Sequence, residues 1–232
     1  MENRRQRLRA LLAVDGNSGS SALARIGALA VSRLNVTGAG ITLIRRPDGP
    51  GRQQLAWASD AIATRLEDLQ LTVGEGPGLA AAASDAPVLV PGLAAAQTRW
   101  PAFTAGALAD GAAAVFAFPL VLGAIRLGSL ECYRITPGPL SPDQVSDALV
   151  LADAAFAAVL GAVAGHDPNN LTWISDVHAE VHQACGMVMY QLKISIEEAL
   201  LRIRAYAYAY DLPVGVVARQ IVDRRLTLRT GQ

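Results

Sequence analysis

From Ile174 to Arg229 the chain carries three short runs of helical periodicity, each apolar along one side only. Helices this short are marginal alone in water, so the three must bury their stripes against one another. The first stripe is Ile174, Val177, Val181, Ala184 and Val188. The second run starts at Ser195, which with Glu198 has the spacing of a capping box, and turns Ala199, Leu200, Ile203 and Ala207 inward. Leu212-Pro213 opens the third, with Val214, Val217, Ala218, Ile221 and Val222 on one face. These caps and stripes predict a small helical bundle, and the segment from Leu171 onward is expected to fold by itself.

Upstream the pattern changes. Ser20 to Leu34 reads as a helix, Gly38 to Ile44 and Gln53 to Ser59 as a hairpin across the turn Pro47-Asp48-Gly49-Pro50-Gly51, and Ala61 to Leu69 as a helix. Gly74-Glu75-Gly76-Pro77-Gly78 has no Lys-Ser/Thr after it, and Pro77 lacks an amide that a phosphate loop would use, so it reads as a helix lead-in. A short strand at Val88-Leu89-Val90, a helix from Pro101 to Ala109 and two strands, Val115 to Leu122 and Leu127 to Ile135, follow. Ser141 with Pro142 then starts a long helix. The expected architecture is α+β, an antiparallel sheet with flanking helices, joined by the long helix to an all-α module.

The long helix places Val145, Leu149, Ala152, Phe156, Val159 and Val163 at alternating spacings of four and three, the rhythm of a coiled-coil seam. After the break at Gly165-His166-Asp167-Pro168-Asn169-Asn170, the stripe beginning at Ile174 continues it. Two readings follow: a parallel homodimer joined along these helices, which we prefer, or two stripes that each face their own domain core.

The motifs upstream, in order, are Gly74-Glu75-Gly76-Pro77-Gly78, Arg99-Trp100-Pro101-Ala102-Phe103, Phe118-Pro119-Leu120, Leu127-Gly128-Ser129-Leu130 and Pro139-Leu140-Ser141. Together they resemble GAF domains over about residues 20 to 160. The C-terminal third, with Gln183-Ala184-Cys185-Gly186-Met187-Val188-Met189 followed by the two capped helices, resembles the ANTAR domain. The expected division is an N-terminal extension (1–19), a GAF-like sensor domain (20–160), a linker (161–173) and an ANTAR-like three-helix domain (174–232). The GAF resemblance implies a small-molecule or redox sensor with a ligand pocket on one face of its sheet. The ANTAR resemblance implies a transcription antitermination regulator that binds RNA hairpins in nascent transcripts.

Chemistry is sparse. The three histidines, His166, His178 and His182, all lie at or beyond the interdomain break, so the sensor region has no histidine base, haem ligand or histidine metal site. His178 and His182 are four apart, but the HExxH order is missing and exposed helix residues are the better reading. No nucleophile–base constellation is present, so an enzyme is not expected, and no cofactor or metal is assigned. The GAF ligand is unidentified. The cyclic-nucleotide signature of some GAF domains is missing, and Cys132, flanked by Glu131 and Tyr133, reads as a buried structural thiol rather than a chromophore anchor. Trp57, Trp100, Phe103, Phe116 and Phe118 could line a pocket or pack a core.

For RNA the resemblance implies Ala184, Gly186 and Met189 along the first helix. Cys185 stands where ANTAR domains usually carry Lys, so Cys185→Lys is expected to strengthen binding. Lys193, Arg204, Arg219, Arg224 and Arg225 would supply phosphate contacts. Seven cations against six carboxylates from Leu171 onward leave this module nearly neutral, yet Arg219, Arg224, Arg225 and Arg229 all follow Pro213 with Asp223 as their only acid. The zero net charge of the whole chain means that any RNA site is a local patch. Gly186 costs a helix about 1 kcal/mol against Ala and so suggests close approach of a helix or a nucleotide backbone. Tyr206, Tyr208 and Tyr210 cannot all share one face. Three readings stay open: a dimeric ligand-gated RNA antiterminator, a sensor or scaffolding dimer that has lost RNA affinity, and a DNA-binding three-helix protein. A basic start without a cleavage site, and no unbroken apolar run of membrane-spanning length, place the expected protein in the cytoplasm.

Overall fold

The computed structural model describes residues 19–45, 52–84, 86–164 and 178–229. Helix α1 (Gly19–Leu34) leads into a hairpin, β1 (Gly38–Arg45) and β2 (Arg52–Ala58). Helices α2 (Ala61–Val73) and α3 (Pro77–Ala82), strand β3 (Val88–Val90) and helix α4 (Pro101–Ala109) follow. Strands β4 (Ala114–Leu122) and β5 (Ile125–Arg134) then pair, and α5 (Pro142–Ala164) closes this half. The five strands form one antiparallel sheet in the order β2-β1-β5-β4-β3. Three helices complete the chain: α6 (Ala179–Leu192), α7 (Ile196–Ala209) and α8 (Val214–Val222). The turn at residues 47–51, most of the expected linker, and the seam positions Ile174 and Val177 lie outside the described residues.

Strand alternation decides the two faces of the sheet. Ala39, Ile41 and Leu43 of β1, Phe116 and Phe118 of β4, and Leu130 and Cys132 of β5 all point to one side. There α1 and α5 cover them, and the largest core of the molecule forms. Trp57 joins this core with its ring against Gly27 of α1, where no Cβ would fit. The opposite face is split. Val115 and Tyr133 meet Ala63, Leu66, Trp100 and Phe103 in a second core under α2 and α4, whereas Gly40, Thr42, Ser129 and Glu131 give the rest of that face a polar surface.

Two sequence expectations are corrected by these cores. Phe116 and Phe118 sit on one face with Trp57, while Trp100 and Phe103 sit on the other, so the five aromatics are core residues and do not surround one pocket. The seam of α5 is likewise consumed: Ala152, Phe156 and Val159 are buried in the first core, and Val145 and Leu149 pack against it. The coiled-coil spacing arises because a helix lying along α1 also needs a continuous stripe. The Val163 side chain lies outside the described residues. Among the described residues α5 is the one helix long and apolar enough to cross a membrane, and 44% of that apolar stretch is buried, with its stripe against α1 and the sheet.

Local signals act as expected at several joints. Ser141 and Gln144 form a reciprocal cap at the start of α5, with the Gln144 amide donating to Ser141 Oγ at 3.2 Å and Gln144 Oε1 accepting from the Ser141 amide at 2.8 Å. The glycine-rich segment after α2 is a lead-in: Gly74 ends α2 with φ of 74°, Pro77 begins α3, and Glu75 Oε1 accepts the amides of Ala102 and Phe103 at the start of α4. Gly128 has φ of 149° and lies so close to β1 that a Cβ would overlap the Thr42 carbonyl oxygen. Gly128→Ala is therefore expected to cost roughly 3 kcal/mol or more. Thermal unfolding should show a Tm lower by about 10 °C, and an unchanged Tm would mean that β5 does not run this close to β1.

Candidate functional site

On the polar half of the sheet, Glu67 of α2 lies over Gly40, whose missing side chain leaves room for the carboxyl. Gln70, one turn on, reaches Glu131 of β5. Its Nε2 donates to the two Glu131 oxygens at 3.2 and 3.1 Å, and its Oε1 accepts the Gly78 amide at 2.8 Å. Both glutamates are buried. Burial pushes the Glu67 carboxyl up to about 7, against a smaller downward pull from the Thr42 hydroxyl and His178. Burial, and then the neighbouring Glu67 charge, hold Glu131 well above the usual carboxylate range. Thr42 Oγ1, Gln53 Oε1 and Glu67 Oε1 are buried without a partner at hydrogen-bonding geometry. The Thr42 hydroxyl and the Glu67 carboxyl can satisfy each other, which leaves Gln53 Oε1 with polar capacity that a bound molecule or water would fill.

Further along the same face, Ile44 and Gln53 form one wall of a cavity of about 790 Å³. Leu79, Ala82 and Ala83 of α3 form another, and Arg126 and Gly128 of β5 a third. The fourth wall comes from the helical bundle, through Leu200 and Arg204 of α7. The cavity is therefore shared between the two halves of the chain.

The bundle sits on the C-terminal end of α2. Arg204 Nε donates to the Leu71 carbonyl at 2.6 Å, a cation on one of the orphan carbonyls at a helix end. The Val214 amide donates to Thr72 Oγ1 at 3.2 Å. Leu71 itself is buried in the bundle core, among Val181, Ala184, Cys185, Ala199 and Ile203. His178 Nε2 lies 2.6 Å from Asp68 Oδ1, and His182 Nε2 lies 3.1 Å from the Gln53 carbonyl. These histidines, expected to be exposed, are where α6 meets the sensor half: His178 is 3% exposed. Their spacing of four was legible in the sequence. The partners were not, because Asp68 and Gln53 lie more than a hundred residues away.

The residues assigned to RNA divide into two groups. Ala184 and Cys185 are corrected to core positions, since both are buried between the bundle helices. A lysine at 185 would bring an ammonium group into that core, so Cys185→Lys is now expected to disturb the bundle instead of strengthening RNA binding. Arg204 is turned to α2, as described. Gly186, Met189 and Lys193 share an outward face of α6 with Tyr190, which is 86% exposed, at spacings of three, four and seven. A Cβ on Gly186 would meet nothing within 4 Å, so packing within the described chain does not require this glycine. Arg219 is exposed and paired with Glu180 at 3.0 Å. Beyond α8 the chain runs back towards the end of α6, where the Leu228 carbonyl accepts from Gln191 Nε2 at 3.1 Å. Arg224 and Arg225 are exposed on this return, with Arg225 3.8 Å from Asp223. Ser195 caps α7 as expected, while the Glu198 carboxylate turns to Arg202, four residues on. Tyr206 stacks on Tyr210, and Tyr208 is exposed. Sequence reasoning missed Tyr190, Glu67, Gln70 and Glu131. Only the run of polar residues on one side of a buried strand could have found the last of these.

No protein-family model matches this sequence, and no curated protein matches it significantly. Solved structures do. The GAF domain of an Acinetobacter phosphoenolpyruvate-protein phosphotransferase is similar at 14% identity and a TM-score of 0.55, over 72% of this chain and 98% of that one. An N-acylhomoserine lactone dependent LuxR family transcription factor, CepR2 from Burkholderia cenocepacia, is similar at 20% identity and a TM-score of 0.53, over 68% and 93%. Escherichia coli SdiA is similar at 13% identity and a TM-score of 0.57, over 98% of this chain and 99% of that one. At these identities the likeness concerns the fold. The sheet half of this chain, with α1 and α5 on one face and α2 to α4 on the other, has the fold of GAF domains.

Proposed function

We propose that the chain is a ligand-responsive transcription antitermination regulator: a GAF-fold sensor whose three C-terminal helices, an ANTAR-like module, bind RNA hairpins. The supporting observation is the outward face of α6. Gly186 leaves its backbone open to close approach, Tyr190 offers an unpacked ring to a looped-out base, and Lys193 ends the face with a cation. Arg224 and Arg225 add cations for phosphates. The shared cavity supports the sensing half of the reading, because its occupant would touch both the sheet and α7. CepR2, an N-acylhomoserine lactone dependent transcription factor, is similar to this chain in fold. The protein acts in this reading as a cytoplasmic regulator without catalysis.

The test is binding to an RNA hairpin and to duplex DNA of equal length at 50 and 200 mM salt. Hairpin preference is expected. Tyr190→Ala should cost about 1–3 kcal/mol on the hairpin, as loss of a stacked base does. Joint replacement of Arg224 and Arg225 by Ala should weaken all RNA sequences alike and flatten the salt dependence by one to two units, roughly one per lost phosphate contact. The burial of Ala184 and Cys185 favours a second reading, a sensor or interaction module that no longer binds RNA. Absence of hairpin binding at the lower salt would select it, and a preference for duplex DNA would select the DNA-binding alternative.

A further inference from the structure

We propose that the cavity between the sheet and α7 takes a small neutral molecule with an amide group on an apolar body. The amide N–H is given to Gln53 of β2, and the amide carbonyl accepts from the Arg204 guanidinium of α7. This assignment rests on the sensor reading above and names the chemical class that the sensor takes.

Gln53 is the anchor. It is 5% exposed, lines the cavity, and keeps its Oε1 buried without a hydrogen-bond partner. Thr42 and Glu67 on the same face can satisfy each other. Gln53 instead has Ile44 opposite it in the strand pair, which offers its side chain nothing polar. An amide oxygen buried without a donor is a standing cost that a donating guest removes. A second amide suits it well, because its N–H meets Oε1 while its own carbonyl stays available to a donor elsewhere in the cavity. A carboxylate has acceptors only and would set oxygen against oxygen here.

That donor is Arg204, on the wall supplied by the bundle. Its Nε–H goes to the Leu71 carbonyl at 2.6 Å, which fixes the guanidinium, while Nη1 lies beside Gly74, another residue of the lining. Gly74 ends α2 in a left-handed turn, and a Cβ there would stand 3.1 Å from Nη1, so the missing side chain keeps that edge of the guanidinium uncovered. Hydrogen bonds from a charged donor to a carbonyl are among the stronger ones. Arg126, also on the lining, already interacts within the protein and is not counted as a donor to the guest. The remaining walls, chiefly Ile44, Leu79, Ile125 and Leu200, are apolar and suit an alkyl or aryl body, for which the cavity's 790 Å³ is ample. Held by Gln53 and Arg204, the guest would bridge a sensor strand and a bundle helix.

Isothermal calorimetry on the full chain at neutral pH tests this with octanamide, with octanoate, and with 2-nonanone, which keeps the chain and the carbonyl but has a methyl group in place of the amide nitrogen. Octanamide should bind about tenfold more tightly than either, equivalent to ~1.4 kcal/mol. In Gln53→Leu the amide should lose that factor and match the ketone. This substitution removes an orphaned acceptor and leaves the Gln53 backbone carbonyl beside His182, so its Tm should equal or exceed that of the wild type. Arg204→Gln should weaken amide and ketone alike. Because it also removes the cap on α2, Gln53→Leu decides if the two variants disagree, and the three wild-type affinities decide by themselves if a variant unfolds. Equal affinity for amide and ketone, tighter binding of octanoate, no binding of any of the three, or a folded Gln53→Leu protein that still prefers the amide overturns the proposal. Of these, preference for octanoate or the ketone would keep the cavity as a sensor site and remove the amide class alone. RNA-hairpin binding by the unliganded protein is a separate measurement. Its failure would remove the antiterminator reading and leave the ligand class standing.

Discussion

Phe156→Asp is expected to abolish cooperative folding of the sensor half. Phe156 is 4% exposed and lies in the core that α5 shares with α1 and the sheet. Truncating a buried Phe costs about 3–5 kcal/mol, and an unpaired carboxylate adds to this. That sum rivals the whole stability of an ordinary domain, about 5–15 kcal/mol. Urea unfolding and near-ultraviolet circular dichroism should show a sloping transition and loss of fixed aromatic environments. Leu160→Asp is the control, since Leu160 is 42% exposed on the same helix and should keep a cooperative transition. If instead Phe156→Asp melts cooperatively and sediments at half the mass of the wild type, Phe156 belongs to an interface between copies, as the spacing of the α5 stripe first suggested.

The second large effect is on pH dependence. The folded-state pKa of Glu67 is raised, to about 7 from an ordinary 4.5, with burial as the chief cause. A raised carboxyl binds its proton more tightly when folded. The stability it contributes is fully present below about pH 4.5 and is lost as pH rises towards 7. The difference corresponds to on the order of 3 kcal/mol. Glu67→Gln keeps the shape and cannot ionise. The variant should match the wild type near pH 4.5 and be the more stable protein at pH 8. Denaturant midpoints measured at both pH values check this, and parallel pH profiles for the two proteins would show that Glu67 does not change ionisation on folding.

The parts of this structure that were readable from the sequence are those set by local physics. Gly38 to Ile44 alternates because a strand in this sheet has two different faces. Ser141-Pro142 and Ser195 start helices because their side chains and backbone satisfy orphan amides locally. Relations between distant residues were not readable. The stripe from Val145 to Val159 has the same spacing against α1 as it would have against a second copy, so periodicity could not separate the two. Cys185 aligned with a family's usual Lys, but alignment says nothing of whether the position faces out. Glu67, Gln70 and Glu131 are common, unremarked residues until Gly40 and Gly78 bring them together. The cavity escaped notice because four separate segments build it.

Leu71 adds a constraint on taking the molecule apart. It belongs by sequence to a sensor helix, and its side chain is 1% exposed inside the core of the C-terminal bundle. A segment starting at Leu171 would lack that side chain and leave a leucine-sized gap beside Ala184 and Ile203, while the sensor half alone would show the same leucine to water. Fragments cut between α5 and α6 are therefore each incomplete, and the instability of either would report the missing partner before it reported anything about an intrinsic failure to fold.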